Sequence, residues 1–198
     1  MYSVFMKQRP PTLAPLLRTD LQGDLLAALF LHPSREYTLT ELADHLDAGL
    51  STVHTEVERL AEAGVIDERR IGRARLVRSN GDHPLTPSLT ELLTLTYGPP
   101  AVLPPLLSQL RGLEEAYLYG SWAARRLGEP GPFPEDVDVL VVGAVSGRAA
   151  ARVQAEATAA LHRDVNLTVL PRDEWDDPST GFAKTVRHAP LVRLAVEA

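Results

Sequence analysis

Prolines crowd the middle of this 198-residue chain and limit how it can fold. They interrupt a leucine-rich stretch at Pro84, Pro87, Pro99, Pro100, Pro104 and Pro105. A proline removes a backbone donor and clashes with the preceding helical turn, so neither a long helix nor a central strand is expected to run through this stretch. We therefore expect a Pro/Leu-rich connector of short helices over residues 81–111, with one domain before it (1–80) and one after it (112–198).

The composition agrees with two small globular domains. Hydrophobic residues make up 44% and charged residues 23% of the sequence, as in ordinary globular proteins. The absence of cysteine excludes disulfide scaffolds, thiolate metal sites and cysteine nucleophiles. Residues 1–9 lack the apolar segment of a secretory signal, and no apolar run approaches the roughly 18 residues of a membrane span. We therefore expect a cytoplasmic protein with no membrane contact.

The first 80 residues show three helical segments followed by a hairpin. Apolar residues recur at helical spacing over 20–30. Thr38 and Glu41 have the spacing of a capping box, which predicts the start of a second helix. Ser51 is predicted to cap a third helix. Two short apolar strands around a glycine turn at 71–73 complete the unit.

This order of elements resembles the winged helix-turn-helix domain of bacterial regulators, over about residues 20–80. The resemblance implies that the start of the third helix contacts DNA base edges through Ser51, Thr52, His54 and Thr55. It also implies that hairpin arginines meet phosphates or the minor groove, namely Arg69, Arg70, Arg73, Arg75 and Arg78. Double-stranded DNA is therefore a predicted partner.

The charge distribution bears on this DNA interpretation in two directions. The net charge of −6 disfavours nucleic acid, but no acidic residue interrupts the basic residues between Arg69 and Arg78. Against this, the third helix carries Glu56, Glu58 and Glu62. The alternative is a winged helix that serves only for dimerisation or protein docking.

The leucines of the connector form an apolar stripe with two alternative partners. Leu89, Leu92 and Leu93 lie on one face of a predicted helix. The stripe either packs within the chain or joins two copies, since winged-helix proteins commonly act as dimers on two-fold DNA sites. A homodimer is therefore one of two predictions for this stripe.

The C-terminal domain carries two carboxylates next to an apolar run. Asp136 and Asp138 precede residues 139–142, so both carboxylates lie on one face of a predicted strand. Like charges this close repel unless a cation lies between them, and Mg²⁺ and Mn²⁺ prefer carboxylate ligands. Asp136 and Asp138 are therefore predicted to hold Mg²⁺ or Mn²⁺.

An earlier apolar strand runs directly into Gly120 and Ser121 at the start of a helix. Glycine lets the backbone approach a ligand closely, and free N–H groups at a helix start attract phosphate. With the two carboxylates, this order resembles the nucleotidyltransferase superfamily of DNA polymerase β, over roughly residues 112–198. The resemblance implies a mixed sheet with helices, and a nucleoside triphosphate bound by Gly120, Ser121 and Arg125. A solvent-facing role is the alternative for Arg125.

The family pattern has a third acid on a later strand, and this chain departs from it. The expected position is Asn166, whose amide cannot take a proton. Asp164, two residues earlier on the same face, is the alternative third catalytic acid beside Asp136 and Asp138. Three hypotheses remain: catalysis with Asp164, slow catalysis with two acids, or nucleotide binding without chemistry.

We therefore predict a two-domain chain of the α+β or α/β class, with an N-terminal winged helix-turn-helix and a C-terminal mixed sheet with helices. The second resemblance implies transfer of a nucleoside monophosphate from a nucleoside or deoxynucleoside triphosphate to a hydroxyl acceptor, with release of pyrophosphate. One alternative is a DNA-binding regulator whose degenerate transferase domain senses nucleotide. Another is an antitoxin-like protein.

Overall fold

The computed structural model describes residues 17–196. Residues 1–16 and 197–198, the two ends of the predicted domains, lie outside the described residues, and so does the prediction made from residues 1–9. The chain divides between Gly98 and Pro99 into two compact units. Over the described range, no helix combines the length and the apolar character needed to cross a bilayer.

The N-terminal unit has the element order of a winged helix-turn-helix. Its described helices are α1 (Asp20–Phe30), α2 (Leu39–His45), α3 (Leu50–Glu62) and α4 (Thr86–Tyr97). Its strands are β1 (Tyr37–Thr38), β2 (Ile66–Ile71) and β3 (Ala74–Ser79). The strands pair antiparallel in the order β1-β3-β2. We call the β2–β3 hairpin the wing.

Local signals define where α2 and α3 begin. Thr38 and Glu41 form the predicted capping box: Thr38 N donates to Glu41 Oε2 at 2.7 Å, and Glu41 N donates to Thr38 Oγ1 at 3.2 Å. Helix α3 begins at Leu50, with Gly49 as its N-cap and no side-chain cap. The prediction that Ser51 caps α3 is therefore wrong, because the Gly49 carbonyl accepts the first intrahelical bonds and leaves Ser51 inside the first turn.

Helix α4 closes the core of the N-terminal unit. Leu93 is 1% exposed within that core, and Leu89 is partly buried against it. Leu92 remains 41% exposed. The predicted leucine stripe therefore packs within the chain through two of its three leucines, and the homodimer stays a prediction.

The C-terminal unit is a mixed four-stranded sheet with helices. Its described helices are α5 (Pro99–Leu107), α6 (Gly120–Arg126), α7 (Gly147–Leu161), α8 (Arg172–Asp176) and α9 (Gly181–His188). Its strands are β4 (Leu113–Tyr119), β5 (Asp136–Gly143), β6 (Asp164–Leu170) and β7 (Val192–Arg193). They lie in the order β6-β5-β4-β7; β5 and β6 are parallel, and β4 is antiparallel to both of its neighbours. The predicted connector thus contributes α4 to one unit and α5 to the other.

Side-chain alternation along β5 gives this sheet two buried faces. On one face, helices α5 and α7 pack over fully buried valines, namely Val137, Val139 and Val141. On the other face, α8 and α9 cover Leu140 and Val142. Asp136 and Asp138 share the parity of Leu140. They therefore lie on the α8–α9 side of the sheet, where β5 begins.

Candidate functional site

The end of β4 and the beginnings of β5 and β6 meet at one edge of the C-terminal sheet. Tyr119, the last residue of β4, is the register partner of Asp138. Across the parallel pair, Asp136 is opposite Asp164 and Asp138 is opposite Asn166. Register partners point to the same face of a sheet. These five polar side chains therefore share one surface.

Asn166, at the expected position of the third acid, is hydrogen-bonded to both predicted metal ligands. Its Nδ2 lies 3.2 Å from Asp136 Oδ2 and 3.0 Å from Asp138 Oδ1. A side-chain amide carries two N–H donors, so it can satisfy one oxygen of each carboxylate without adding charge. We call these three residues the bridged cluster. The sequence showed the departure at Asn166 but not this bridge.

The bridged cluster brings two carboxylates together in partly buried surroundings. Burial raises the pKa of Asp138, the hydrogen bond from Asn166 opposes that shift, and the Asp136 charge adds to it, so the net pKa is raised. A partly buried carboxylate next to a second carboxylate is a costly arrangement for two anions. A positive ligand would relieve that cost.

Gly120 brings the glycine-serine motif into contact with the bridged cluster. Its φ is +68°, a conformation natural to glycine. A Cβ added at Gly120 would overlap Asp138 Oδ2, so the carboxylate lies directly against the glycine backbone. Any larger residue would displace that carboxylate. Ser121 follows with an exposed side chain.

The oxygen atoms of Asp136, Asp138 and Asn166 fit a hard divalent cation whose remaining ligands are water or phosphate. Within residues 17–196, no three or more His, Cys, Asp or Glu side chains group as a metal site. Asp136 and Asp138 supply two carboxylates, and Asn166 would supply an amide oxygen if its terminal torsion turned by half a rotation. Mg²⁺ is commonly held by one or two carboxylates together with waters and substrate phosphates. The residues therefore suit a metal–phosphate complex better than a bare ion.

Asp164 and Arg125, which were predicted as site residues, lie outside the bridged cluster. Asp164 is exposed at the first position of β6, opposite Asp136. Arg125 turns into the loop that follows α6, where its Nη1 donates to the Glu129 carbonyl at 2.6 Å. Its guanidinium also lies so close to Gly131 that a Cβ there would be 2.5 Å from Nη1. Arg125 thus holds the loop that contains Glu129 and Gly131, a role the sequence did not indicate.

The predicted base-reading residues are all exposed on α3, namely Ser51, Thr52, His54 and Thr55. Two of them already have local partners. Thr55 Oγ1 donates to the Ser51 carbonyl at 3.0 Å. His54 Nε2 lies 3.6 Å from Glu58 Oε1 and 3.5 Å from Arg75 Nη1. The exposed surface of α3 therefore offers hydroxyl and imidazole groups.

Glu56 does not contribute to that exposed surface. Its side chain is 7% exposed, and its Oε1 lies 2.6 Å from Arg59 Nη1 and 3.5 Å from Arg18 Nη2. Two guanidinium groups therefore accompany this buried carboxylate. Of the three acids on α3 that favour the docking alternative, only Glu58 and Glu62 are therefore exposed.

Three of the five wing arginines are paired with acids inside the N-terminal unit, although no acid interrupts their run in the sequence. The ion pairs are Arg69–Glu36, Arg75–Glu68 and Arg78–Asp67. The partner of Arg69 lies 33 residues earlier in the sequence. The other two acids precede the arginine run and face it across the hairpin register. Spacing along the chain did not reveal these pairs.

Arg70 and Arg73 remain as exposed wing cations. In the part of the chain that the structure describes, neither lies within ion-pair distance of an acidic side chain. Gly72 has a φ of +59° at the first central position of the two-residue turn between β2 and β3, where such turns favour glycine. Arg73 is therefore at the tip of the wing.

Comparisons with known proteins give partial structural likenesses. No protein-family model and no curated protein matches this sequence. MepR, a transcription regulator of the Staphylococcus aureus multidrug efflux pump MepA, is 22% identical over 41% of this chain and 59% of that chain, with a TM-score of 0.35. BldR, a transcriptional regulator from Sulfolobus solfataricus, is 16% identical over 50% and 68%, with a TM-score of 0.37.

A further solved structure, described as a toxin-antitoxin with AMP-PNP, is 22% identical. The match covers 50% of this chain and 74% of that chain, with a TM-score of 0.38. This chain spans about three fifths of the length of MepR, at 59%. Each likeness is one of partial fold.

Proposed function

We propose that the C-terminal unit binds a nucleoside triphosphate with Mg²⁺ or Mn²⁺ and transfers its nucleotidyl group to a hydroxyl acceptor, and that the N-terminal unit binds double-stranded DNA. One observation carries the first half. The Asp138 carboxylate lies against Gly120, while Asn166 ties it to Asp136. A cation-binding pair thus adjoins a backbone that a phosphate can approach, because Gly120 has no side chain.

In this proposal each residue has a distinct task. Asp136 and Asp138 hold the cation, while the Gly120 backbone and the Ser121 hydroxyl bind the β- and γ-phosphates. When bound, the divalent cation would neutralise phosphate charge during an in-line displacement at the α-phosphorus that releases pyrophosphate. Arg125 would have to leave the Glu129 carbonyl to reach a phosphate, so we assign it to the loop.

Removal of the proton from the acceptor hydroxyl is assigned to Asp164. The Asn166 amide cannot accept a proton, whereas Asp164 is an exposed carboxylate on the same face of the same strand. Asn166 also favours a second candidate function. With a hydrogen-bond donor where a base is expected, the site would bind nucleotide without transfer, and the chain would act as a nucleotide-responsive DNA-binding regulator.

The two candidates are distinguished by chemistry on labelled nucleotides. Full-length protein is incubated with each α-labelled nucleoside triphosphate and Mn²⁺, with and without duplex DNA, and pyrophosphate release and label transfer are measured. Transfer that disappears in Asp136→Asn with Asp138→Asn, and falls in Asp164→Asn, supports the enzyme. Mn²⁺-dependent nucleotide binding without pyrophosphate release supports the regulator.

Asp177→Asn is the matched control for these variants, since Asp177 is an exposed aspartate in the same unit. It removes one negative charge, as Asp164→Asn does and as each half of the double cluster variant does, without touching the bridged cluster. Wild-type protein that neither binds nor turns over any nucleotide would contradict both candidates. Equal loss in the control and in the cluster variants would show a general charge effect instead.

The DNA half of the proposal is supported by the surface of α3 and the wing. Helix α3 presents hydroxyl and imidazole groups that can bond to base edges. Arg70 and Arg73 supply the wing charge that is free to meet phosphates. The three arginines that are paired with acids are expected to position the wing rather than to bind DNA.

A further inference from the structure

Phe182 is an exposed aromatic residue on the side of the sheet that carries the bridged cluster. It is 39% exposed on α9, although Ala183 and Val186 of the same helix are 0% and 4% exposed. Those two residues already belong to the core that α9 forms with the sheet. Ala183 and Val186 thus supply the buried core contacts of α9, while much of the Phe182 side chain stays exposed.

Tyr119 connects Phe182 to the bridged cluster. The two rings meet edge to face, with centroids 5.9 Å apart and an interplanar angle of 79°. Tyr119 immediately precedes Gly120, and it is the register partner of Asp138. Its hydroxyl lies 3.3 Å from Thr168 Oγ1, a hydrogen bond that fixes the orientation of the ring.

The charges of the cluster act on Tyr119. Burial raises the pKa of Tyr119, the hydrogen bond with Thr168 opposes that shift, and the Asp138 and Asp136 charges add to it. A ligand that fills this region meets a cation-binding edge and, beside it, a flat apolar surface.

We propose that Phe182, packed against Tyr119, stacks against the base of the nucleotide whose phosphates lie at Gly120 and the bridged cluster. This inference rests on the proposed nucleotide binding and assigns the base to a subsite. Nucleoside phosphates combine an anionic chain with a flat ring system, and these two chemistries match the two neighbouring surfaces. Every base has a π face, so the platform accepts all four bases without hydrogen-bond selection.

The test compares a ligand that has a base with one that lacks it. Binding of ATP and of inorganic tripolyphosphate to the full-length protein is measured by calorimetry with Mn²⁺ present. Loss of one stacking contact is expected to weaken ATP binding about tenfold in Phe182→Ala. Tripolyphosphate affinity is expected to stay the same, and Phe182→Tyr is expected to keep wild-type affinity for both ligands.

Leu127→Ala is the matched control, because Leu127 is a 59% exposed apolar residue at the other end of α6 from Gly120. The control is expected to bind both ligands as the wild type does. Unchanged ATP affinity in Phe182→Ala, or an equal loss for both ligands, overturns the stacking subsite while nucleotide binding stands. Wild-type protein that binds neither ligand overturns the nucleotide proposal itself, and the subsite with it.

Discussion

Asn166 donates its side-chain amide to Asp138, with Nδ2 3.0 Å from Oδ1. Asn166 occupies the strand position at which the nucleotidyltransferase pattern predicts an acid. The same amide reaches Asp136, so one neutral group joins two anions. The chain therefore has a donor where a third acceptor is expected, and this exchange bears on the proposed cation binding and the proposed proton transfer.

Asn166→Asp places a third acid beside Asp136 and Asp138 and removes the amide bridge between them. Without divalent cations, we expect its free energy of unfolding to fall by about 1–3 kcal/mol, because two hydrogen bonds to carboxylates are lost and a third negative charge is added. With Mn²⁺, we expect its melting temperature to rise more than that of the wild type, because a third carboxylate strengthens binding to the folded state. Thermal melts in EDTA and over a Mn²⁺ series measure both effects.

Asn166→Ala separates the two causes, since it removes the bridge without adding charge. It should be destabilised in EDTA but should gain no extra response to Mn²⁺. A melting curve of Asn166→Asp that responds to Mn²⁺ no more than the alanine variant would contradict a cation site at this cluster.

Asp138→Asn tests the cost of holding this carboxylate beside Asp136. The folded-state pKa of Asp138 is raised above its ordinary value of 3.8. Its favourable contribution to stability is therefore present below pH 3.8 and is lost as the pH rises through the raised pKa. In EDTA, the variant should resist urea better than the wild type at pH 7, and this advantage should shrink towards pH 4. An advantage that does not change with pH would contradict the electrostatic cause.

Local signals predicted much of the fold, whereas pairing between distant residues stayed hidden. The capping box of Thr38 and Glu41 forms between residues only three positions apart. Side-chain alternation along one strand places Asp136 and Asp138 on one face of β5. The Asn166 bridge depends on the register of two strands separated by a helix. Spacing along one chain does not encode that register, and it does not encode the wing ion pairs for the same reason.

Helix α8 carries an acid, Glu174, that no sequence pattern singled out and that accepts hydrogen bonds from the turn before α9. Hydrogen bonds from the Ser179 hydroxyl, from the Thr180 backbone and from the Thr180 hydroxyl lower the pKa of Glu174 to about 2. This contribution to stability is present above the ordinary value of 4.5, and it is lost as the pH falls through about 2. Thr180 also caps α9, the helix that carries Phe182.

Glu174→Gln should therefore melt at a lower temperature than the wild type at pH 7, and the two curves should converge as the pH approaches 2. Thermal melts at a series of pH values measure this convergence. Glu129→Gln is the control, because Glu129 is exposed and its hydrogen bonds to Ala124 and Arg125 are made by its backbone. A constant difference between Glu174→Gln and wild type at every pH would show that packing, and not ionisation, is responsible.

Arg70→Ala combined with Arg73→Ala tests the wing as a DNA contact. Each phosphate contact contributes about 0.9 to the slope of log affinity against log salt, so removing two should reduce the magnitude of that slope by about 2. Fluorescence anisotropy with labelled duplex over a salt series measures the slope.

The matched control is Arg69→Ala with Arg78→Ala, which removes two arginines that already pair with Glu36 and Asp67. Because those charges are compensated inside the unit, the control should change the slope less. If the Arg70 and Arg73 variant leaves affinity and slope unchanged, the wing does not meet the phosphates, and α3 must bind DNA without it or not at all.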